Sequence, residues 1–161
     1  MGIEIPQNKF LILDGAMGTV LQQRGLSPQG RPELLNLTEP ELLDSVYKEY
    51  IAAGSQVIYA NTFGANGLKL AKTGHSVEEV VGAAIAVAKK AAAGTGTLVA
   101  LDVGPLGELL EPMGTLSFER AYDLFREMAE AGAKAGADLI VVETMTCLLY
   151  TSDAADDMQC V

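Results

Sequence analysis

The stretch FLILDGAMGT, residues 10–19, passes from four apolar residues into an acid, two glycines and a threonine. Four apolar residues suit a short buried strand, and the glycines allow the backbone to turn sharply after Asp14. A carboxylate then lies at the carboxyl end of a buried strand, where α/β folds build their ligand sites. Taken alone, the stretch fits a simple turn with an acidic helix cap equally well.

A buried strand followed by polar residues occurs four times along the chain. The predicted strands are Phe10–Leu13, Gln56–Ala60, Thr97–Leu101 and Leu139–Val142. Between them, apolar residues at a spacing near 3.6, capping residues and Ala-Gly endings predict helices. These helices are Glu39–Ala53 with a capping box at Thr38–Glu41, a second from Ser76 to about Ala93, and a third from Ser117 to Ala135. Strand–helix alternation of this kind predicts an α/β fold with a parallel sheet.

Polar side chains follow each predicted strand at the point where it ends. They are Asp14, Asn61, Asp102 and Glu143. Because the carboxyl ends of parallel strands lie on one side of a sheet, we expect these side chains to converge on a ligand site rather than to serve turns alone. Convergent carboxylates suit a cationic group such as an amine. The chain contains neither of the glycine-rich phosphate-binding motifs.

Composition limits the class of protein. The chain has 161 residues, of which 49% are hydrophobic, and a net charge of −10, which fits one globular domain and argues against nucleic-acid binding. No apolar run reaches the roughly 18 residues of a membrane span, and the N-terminus lacks the features of a signal peptide, so we expect no membrane association and a cytoplasmic location. Two cysteines, Cys147 and Cys160, predict no disulfide framework.

Four segments of the sequence resemble the homocysteine S-methyltransferase family. They are Asp14–Thr19, Leu34–Thr38, Ala60–Asn66 and Asp138–Met145, in the same order as in the family. They are most like the homocysteine-binding module of cobalamin-dependent methionine synthase. The resemblance implies that residues 1–146 form the first half of a (β/α)8 TIM barrel.

The resemblance also implies a reaction and a set of binding residues. Members of the family transfer a methyl group, from methylcobalamin or another methyl donor, to the zinc-bound thiolate of homocysteine and so form methionine. Asp14 and Glu143 would face the ammonium group of homocysteine, and the backbone of Gly15 would approach it closely. Asn61 and Thr62 would position the substrate. Asp102 stands where many relatives carry a small residue, so it receives no role.

Much of the family's machinery is expected outside this chain. The family's zinc cysteines come from the sixth and eighth strands, whereas only four strands are predicted here and no cysteine precedes Cys147. We therefore expect a fragment with no catalytic or metal-binding residues of its own, inactive alone. Zinc and a methyl donor or cobalamin-binding module would belong to the full-length parent. The alternative is a non-catalytic α/β half-barrel that binds a small amino acid or assembles with a partner chain.

The last residues of the chain differ in style from the rest. Residues 147–156 read CLLYTSDAAD, which is the translation of a transposase-type sequencing-library adapter. We therefore predict that residues 147–161 are a non-native tail. The alternative is a native end that forms a short polar helix or is disordered.

Overall fold

The computed structural model describes residues 10–27 and 30–145. The tail predicted at residues 147–161, with both cysteines, lies outside the described residues. The elements, in chain order, are α1 (Met17–Gln23), a 3-10 turn (Pro32–Leu34), α2 (Leu35–Thr38), α3 (Pro40–Ala52), β1 (Val57–Tyr59), α4 (Gly67–Leu70), α5 (Val77–Ala92), β2 (Leu98–Val103), α6 (Phe118–Ala135) and β3 (Leu139–Val142). No helix in this described part is long and apolar enough to cross a membrane.

The strands form one parallel sheet in the order β1-β2-β3. Val57 pairs with Leu98 at the start of the register, and Asp102 pairs with Val141 near its end. The helices α3 and α5 follow one another across the sheet and α6 packs on α5, which is the arrangement expected when each crossover is helical. The predicted α/β fold with parallel strands is confirmed.

The predicted first strand, Phe10–Leu13, was wrong as a strand. Only Leu13 forms a bridge, parallel to Val57 of β1. The N–H of Ile12 donates to the side-chain Oε1 of Gln56 at 3.0 Å, so a side chain occupies a position that a strand neighbour would fill. Phe10 is 97% exposed. The carbonyl of Ile12 accepts from the N–H of Gln56 at 2.8 Å and the N–H of Asp14 donates to the carbonyl of Val57 at 3.0 Å, so the segment pairs beside β1 at a single bridge.

The other three predicted strands are present with shifted limits. β1 is shorter than Gln56–Ala60 and β3 matches its prediction. β2 runs two residues further than predicted, to Val103, so Asp102 lies inside the strand rather than after it. Because it lies inside β2, Asp102 is paired with Val141 of β3.

All three predicted helices are present, and two of the three predicted side-chain caps are confirmed. The hydroxyl oxygens of Ser76 and Ser117 accept hydrogen bonds from the backbone of the residue three positions later, at 3.1 and 3.2 Å. The capping box predicted at Thr38–Glu41 was wrong, because Thr38 ends the preceding helix α2 and its hydroxyl donates to the carbonyl of Leu34. α3 begins at Pro40 without a side-chain cap.

The main core lies between the sheet and the helices. Its largest fully buried members include Leu43 and Tyr47 from α3, Ile85 from α5, Leu101 from β2 and Met128 from α6. On the outer strand β3, Ile140 and Val142 are 49% and 62% exposed. By register these two residues lie beside Leu101 and Val103, on the side of the sheet that α6 covers elsewhere. Among the described residues β3 pairs only with β2, so it is an edge strand that carries exposed apolar side chains.

Replacing Gly104, which directly follows β2, should destabilise the fold. A Cβ at this position would lie 2.5 Å from the Phe63 ring and 2.7 Å from the Phe63 carbonyl oxygen. Because that contact includes backbone, Gly104→Ala should lower the free energy of unfolding by about 1–3 kcal/mol, measured by urea titration with circular dichroism.

The matched control is Gly82→Ala in the middle of α5. A Cβ at Gly82 meets nothing within 4 Å, so the helix propensity of alanine should raise stability by about 0.5–1 kcal/mol. Equal effects of the two substitutions would contradict the packing described for Gly104.

Candidate functional site

A cavity of about 480 Å³ opens at the carboxyl ends of the strands. Its volume is in the range of sites for small molecules. Four acidic side chains line it: Asp14, Glu33, Asp102 and Glu143. Among the described residues that line it, none is a lysine, an arginine or a histidine. The cavity therefore presents an excess of carboxyl groups to whatever enters it.

Asp14 is held at the end of the segment that runs beside β1. Its backbone N–H donates to the carbonyl of Val57 at 3.0 Å, and its Oδ2 accepts from the N–H of Tyr59 at 2.9 Å. The side chain thus continues the hydrogen bonding after the chain turns away at Gly15. Burial raises the pKa of Asp14 to about 6 against the lowering effect of the Tyr59 N–H, and the charge of Glu143 adds to the rise.

Gly15 lines the cavity and passes close to an aromatic ring. A Cβ at this position would lie 3.0 Å from both Cε1 and the hydroxyl oxygen of Tyr50. The absence of a side chain therefore lets the backbone pass between the cavity and Tyr50. The predicted close approach of a ligand to the Gly15 backbone also requires that no side chain be present there.

Asn61 lines the cavity, and its backbone and its side-chain nitrogen already have partners. Its Nδ2 donates to the carbonyl of Pro32 at 2.6 Å, and its backbone N–H donates to the hydroxyl of Tyr47 at 2.8 Å. Its backbone carbonyl accepts from Nδ2 of Asn36 at 2.8 Å. Asn61 therefore ties the end of β1 to the 3-10 turn and to α3.

Thr62 is completely buried and does not line the cavity. Its hydroxyl donates to the carbonyl of Asp102 at 2.8 Å and accepts from the N–H of Asp102 at 3.0 Å. This reciprocal pair fixes the backbone of Asp102 beside the end of β1. The structure thus brings Asp14, Gly15, Asn61 and Glu143 together at the cavity and places Thr62 behind it.

Glu143 directly follows β3. Its backbone N–H donates to the carbonyl of Val103 at 3.1 Å, while its side chain lines the cavity and is exposed. The next residue, Thr144, has a φ of 57°, which is uncommon for a β-branched residue. Backbone outliers of this kind cluster at functional sites.

Asp102 is the acidic residue to which sequence reasoning gave no role. It is 7% exposed, lines the cavity, and has a buried Oδ1 without a hydrogen-bond partner in the described part of the chain. Burial, together with the charges of Glu143, Asp14 and Glu33, raises its pKa to about 7. Its place directly after a predicted buried strand is the signal that brings it to the site, although the resemblance gave it no role.

The sequence pattern did not single out the lining side chains of Glu33, Tyr59 and Phe63. Burial raises the pKa of the Tyr59 hydroxyl, and the charges of Glu143, Asp14 and Asp102 act in the same direction. Glu33 comes from the 3-10 turn, which no periodic pattern marks. Phe63 lies under Gly104, with Lys69 outside the cavity 5.4 Å from its ring centroid.

The donor set in the described residues does not fit zinc. No group of three His, Cys, Asp or Glu side chains is placed there to hold a metal ion. The carboxyl groups of the cavity are also oxygen donors, whereas the zinc implied by the resemblance would be held by thiolates.

The fold and the cavity define an α/β protein with an acidic small-molecule site at the carboxyl ends of parallel strands. The family model described as homocysteine S-methyltransferase matches residues 11–159. The chain therefore belongs to the homocysteine S-methyltransferase family, and the resemblance seen in the sequence is confirmed.

Relatives of known function agree with this membership. The chain is 30% identical, over an alignment 167 positions long, to the methionine synthase of Mycobacterium tuberculosis and equally to that of Mycobacterium leprae. In both cases the alignment covers 94% of this chain and 14% of the relative. The chain thus spans about one seventh of the length of these enzymes.

Solved structures show the same fold. The oxidised form of the homocysteine methyltransferase MmuM from Escherichia coli superposes with a TM-score of 0.74 at 30% identity, over 85% of this chain and 53% of that chain. The metallated form gives the same TM-score at 28% identity, over 87% and 56%. The chain spans about half of that enzyme.

The raised pKa values of Asp14 and Asp102 predict a stability that falls as the pH rises. Between about pH 4 and pH 7 the folded chain holds more protons than the unfolded chain, because both folded-state pKa values exceed the ordinary aspartate value of 3.8. Stability from these groups is full below pH 4 and is lost as the pH passes 6 and 7. Asp102→Asn should therefore be more stable than wild type by about 1–3 kcal/mol at pH 8.

The measurement is urea unfolding at pH 4 and pH 8. The advantage of Asp102→Asn should shrink towards pH 4, whereas Glu108→Gln, which removes a charge from an exposed loop, should show no such trend. An advantage of equal size at both pH values would contradict burial of the Asp102 carboxyl group.

Proposed function

We propose that the cavity binds homocysteine through its amino-acid end. The observation that carries the proposal is the convergence of Asp14 and Glu143 on one cavity that no lysine, arginine or histidine lines among the described residues. An ammonium group would supply the cationic partner that these carboxylates do not have in the cavity. It would donate a charge-assisted hydrogen bond to each of them. Membership of the family supports homocysteine as the amine.

The other predicted residues receive supporting roles in this proposal. Gly15 allows the ligand to approach the backbone, because a side chain there would also collide with Tyr50. Asn61 shapes the cavity wall between β1 and the 3-10 turn. Thr62 acts at one remove, because it holds the backbone of Asp102 rather than the ligand.

We further propose that the chain is the first half of a (β/α)8 barrel whose full-length parent methylates homocysteine. The match to about half of MmuM supports the half-barrel, and the similarity to methionine synthases supports methionine as the product. Methylcobalamin or another donor would supply the methyl group. Zinc would belong to the parent, because the described residues offer no thiolate.

Removing one carboxylate should weaken binding of the amine. Glu143→Gln should lower the affinity for L-homocysteine at pH 7 by at least about tenfold, because a charge-assisted hydrogen bond contributes roughly 1.5–3 kcal/mol. Isothermal titration calorimetry with the reduced amino acid measures the change. Glu108→Gln is the matched control, since it makes the same substitution outside the cavity and should leave the affinity unchanged. Equal losses in both variants would point to net charge rather than to a site.

The chain by itself should not catalyse methyl transfer. Purified chain with L-homocysteine, zinc salt and either methylcobalamin or S-methylmethionine should form no methionine above the protein-free rate, because no thiolate cluster holds the metal in the described part. Methionine formation is followed by chromatography. Turnover that a chelator abolishes would refute this expectation, whereas binding without turnover fits both a fragment of the enzyme and a non-catalytic half-barrel.

A further inference from the structure

The backbone of Asp102 is fixed by hydrogen bonds to Thr62 and by its register with β3, whereas its carboxyl group has a buried oxygen without a partner among the described residues. Thr62 bonds its N–H and its carbonyl, and the strand register sets it beside Val141. Its Oδ1 is buried and has no hydrogen-bond partner among the described residues. The side chain is therefore not needed to build the strand, although it is fixed at the cavity wall by the backbone around it.

An unpartnered, enclosed carboxyl oxygen is unfavourable as an anion, because a buried charge needs compensation. The groups that face Asp102 offer none. They come from the turn after Leu13, the 3-10 turn, α3, β1 and β3, and all are acids or phenols: Asp14, Glu33, Tyr47, Tyr59 and Glu143. The neutral carboxylic acid is the form that this environment favours, and a neutral acid has an O–H to donate.

A zwitterionic amino acid brings a carboxylate into this cavity as well as an ammonium group. The carboxylate needs donors, and the described cavity lining carries no cationic side chain, while the amide of Asn61 already uses one of its two N–H groups on the carbonyl of Pro32. Ionised Asp14 and Glu143 can only accept. A protonated Asp102 changes one acid of the cavity from an acceptor that repels the ligand's carboxylate into a donor that can bind it.

We propose that Asp102 is a further substrate-binding residue, whose neutral carboxyl group donates a hydrogen bond to the carboxylate of the amino acid. The proposal rests on the proposed function of the cavity. It divides the acids into two kinds: Asp14 and Glu143 bind the ammonium group as anions, and Asp102 binds the carboxylate as an acid. The proton on Asp102 then gives specificity for an amino acid over a simple amine, because only the amino acid has a carboxylate to accept the hydrogen bond.

The test compares two ligands that differ only in the carboxylate. L-Homocysteine and 3-aminopropane-1-thiol are titrated into the 161-residue chain by calorimetry at pH 7 and pH 8, under a reductant. The affinity for L-homocysteine should fall about fivefold over this interval, as a group with a pKa of about 7 loses its proton. The affinity for the aminothiol should not fall, because ionised Asp102 adds a negative charge beside the ammonium group.

The matched variant is Asp102→Asn, which keeps a neutral donor of nearly the same shape at every pH. In this variant the affinity for L-homocysteine should be the same at pH 7 and pH 8. The carboxyl carbon of Asp102, followed by NMR in the wild-type chain without ligand, should titrate near pH 7. This last readout requires no variant to fold.

Three results would overturn the proposal: an L-homocysteine affinity that does not fall in the wild type, an equal fall in Asp102→Asn, or a titration of Asp102 below about pH 5. Each of these leaves the proposed function standing if L-homocysteine still binds. Failure of both ligands to bind at either pH would overturn the proposed function and this inference together.

Discussion

The structure depends on the parallel pairing of β1, β2 and β3. Both faces of a parallel sheet are buried, so the middle residues of its strands are apolar and polar side chains occur where the strands end. Because all three strands run in one direction, those ends lie on one side of the sheet. A chain that alternates strand and helix therefore collects its acids at a single edge without any contact between them along the sequence.

Side chains complete the hydrogen bonding at each junction between neighbouring segments. Gln56 accepts from the N–H of Ile12, and Asp14 accepts from the N–H of Tyr59. At the amino end of β3, Oδ2 of Asp138 accepts from the N–H of Val99 at 2.8 Å and pairs with Lys89 at 2.6 Å. Backbone pairing alone leaves N–H groups at strand ends unsatisfied, so these side chains fix where one segment begins beside the next.

The sequence contained enough information for the architecture because long helices and buried strands are periodic. Ser76 and Ser117 marked their helices by a local hydrogen bond, and such bonds depend on three or four residues only. The first segment failed as a strand because pairing is not local. Phe10 is apolar but 97% exposed, and the backbone bonds of the segment to Gln56 and Val57 come from Ile12 and Asp14 only, which is too short a pairing for a strand.

The site shows the same division. Asp14 and Glu143 could be predicted because each ends an apolar run, and an end is visible in the sequence. Glu33 could not, because it lies in a three-residue turn that no period marks. Thr62 has the residue type of a ligand contact, but its hydroxyl bonds the backbone of Asp102. Only the fold decides which way a short polar side chain points.

The cluster of acids has opposite requirements for stability and for binding, because protonated acids stabilise the fold whereas ionised acids bind a cation. Asp14 and Asp102 each hold a proton more tightly in the folded chain than a free aspartate does, so the empty cavity is most stable when it is neutral. A cation entering the cavity favours the ionised form of the acids nearest to it, and a ligand carboxylate favours the protonated form of an acid beside it. The ligand's two charges therefore separate two carboxyl groups of one residue type into an acceptor and a donor. That separation requires only that one carboxyl oxygen be enclosed, as Oδ1 of Asp102 is.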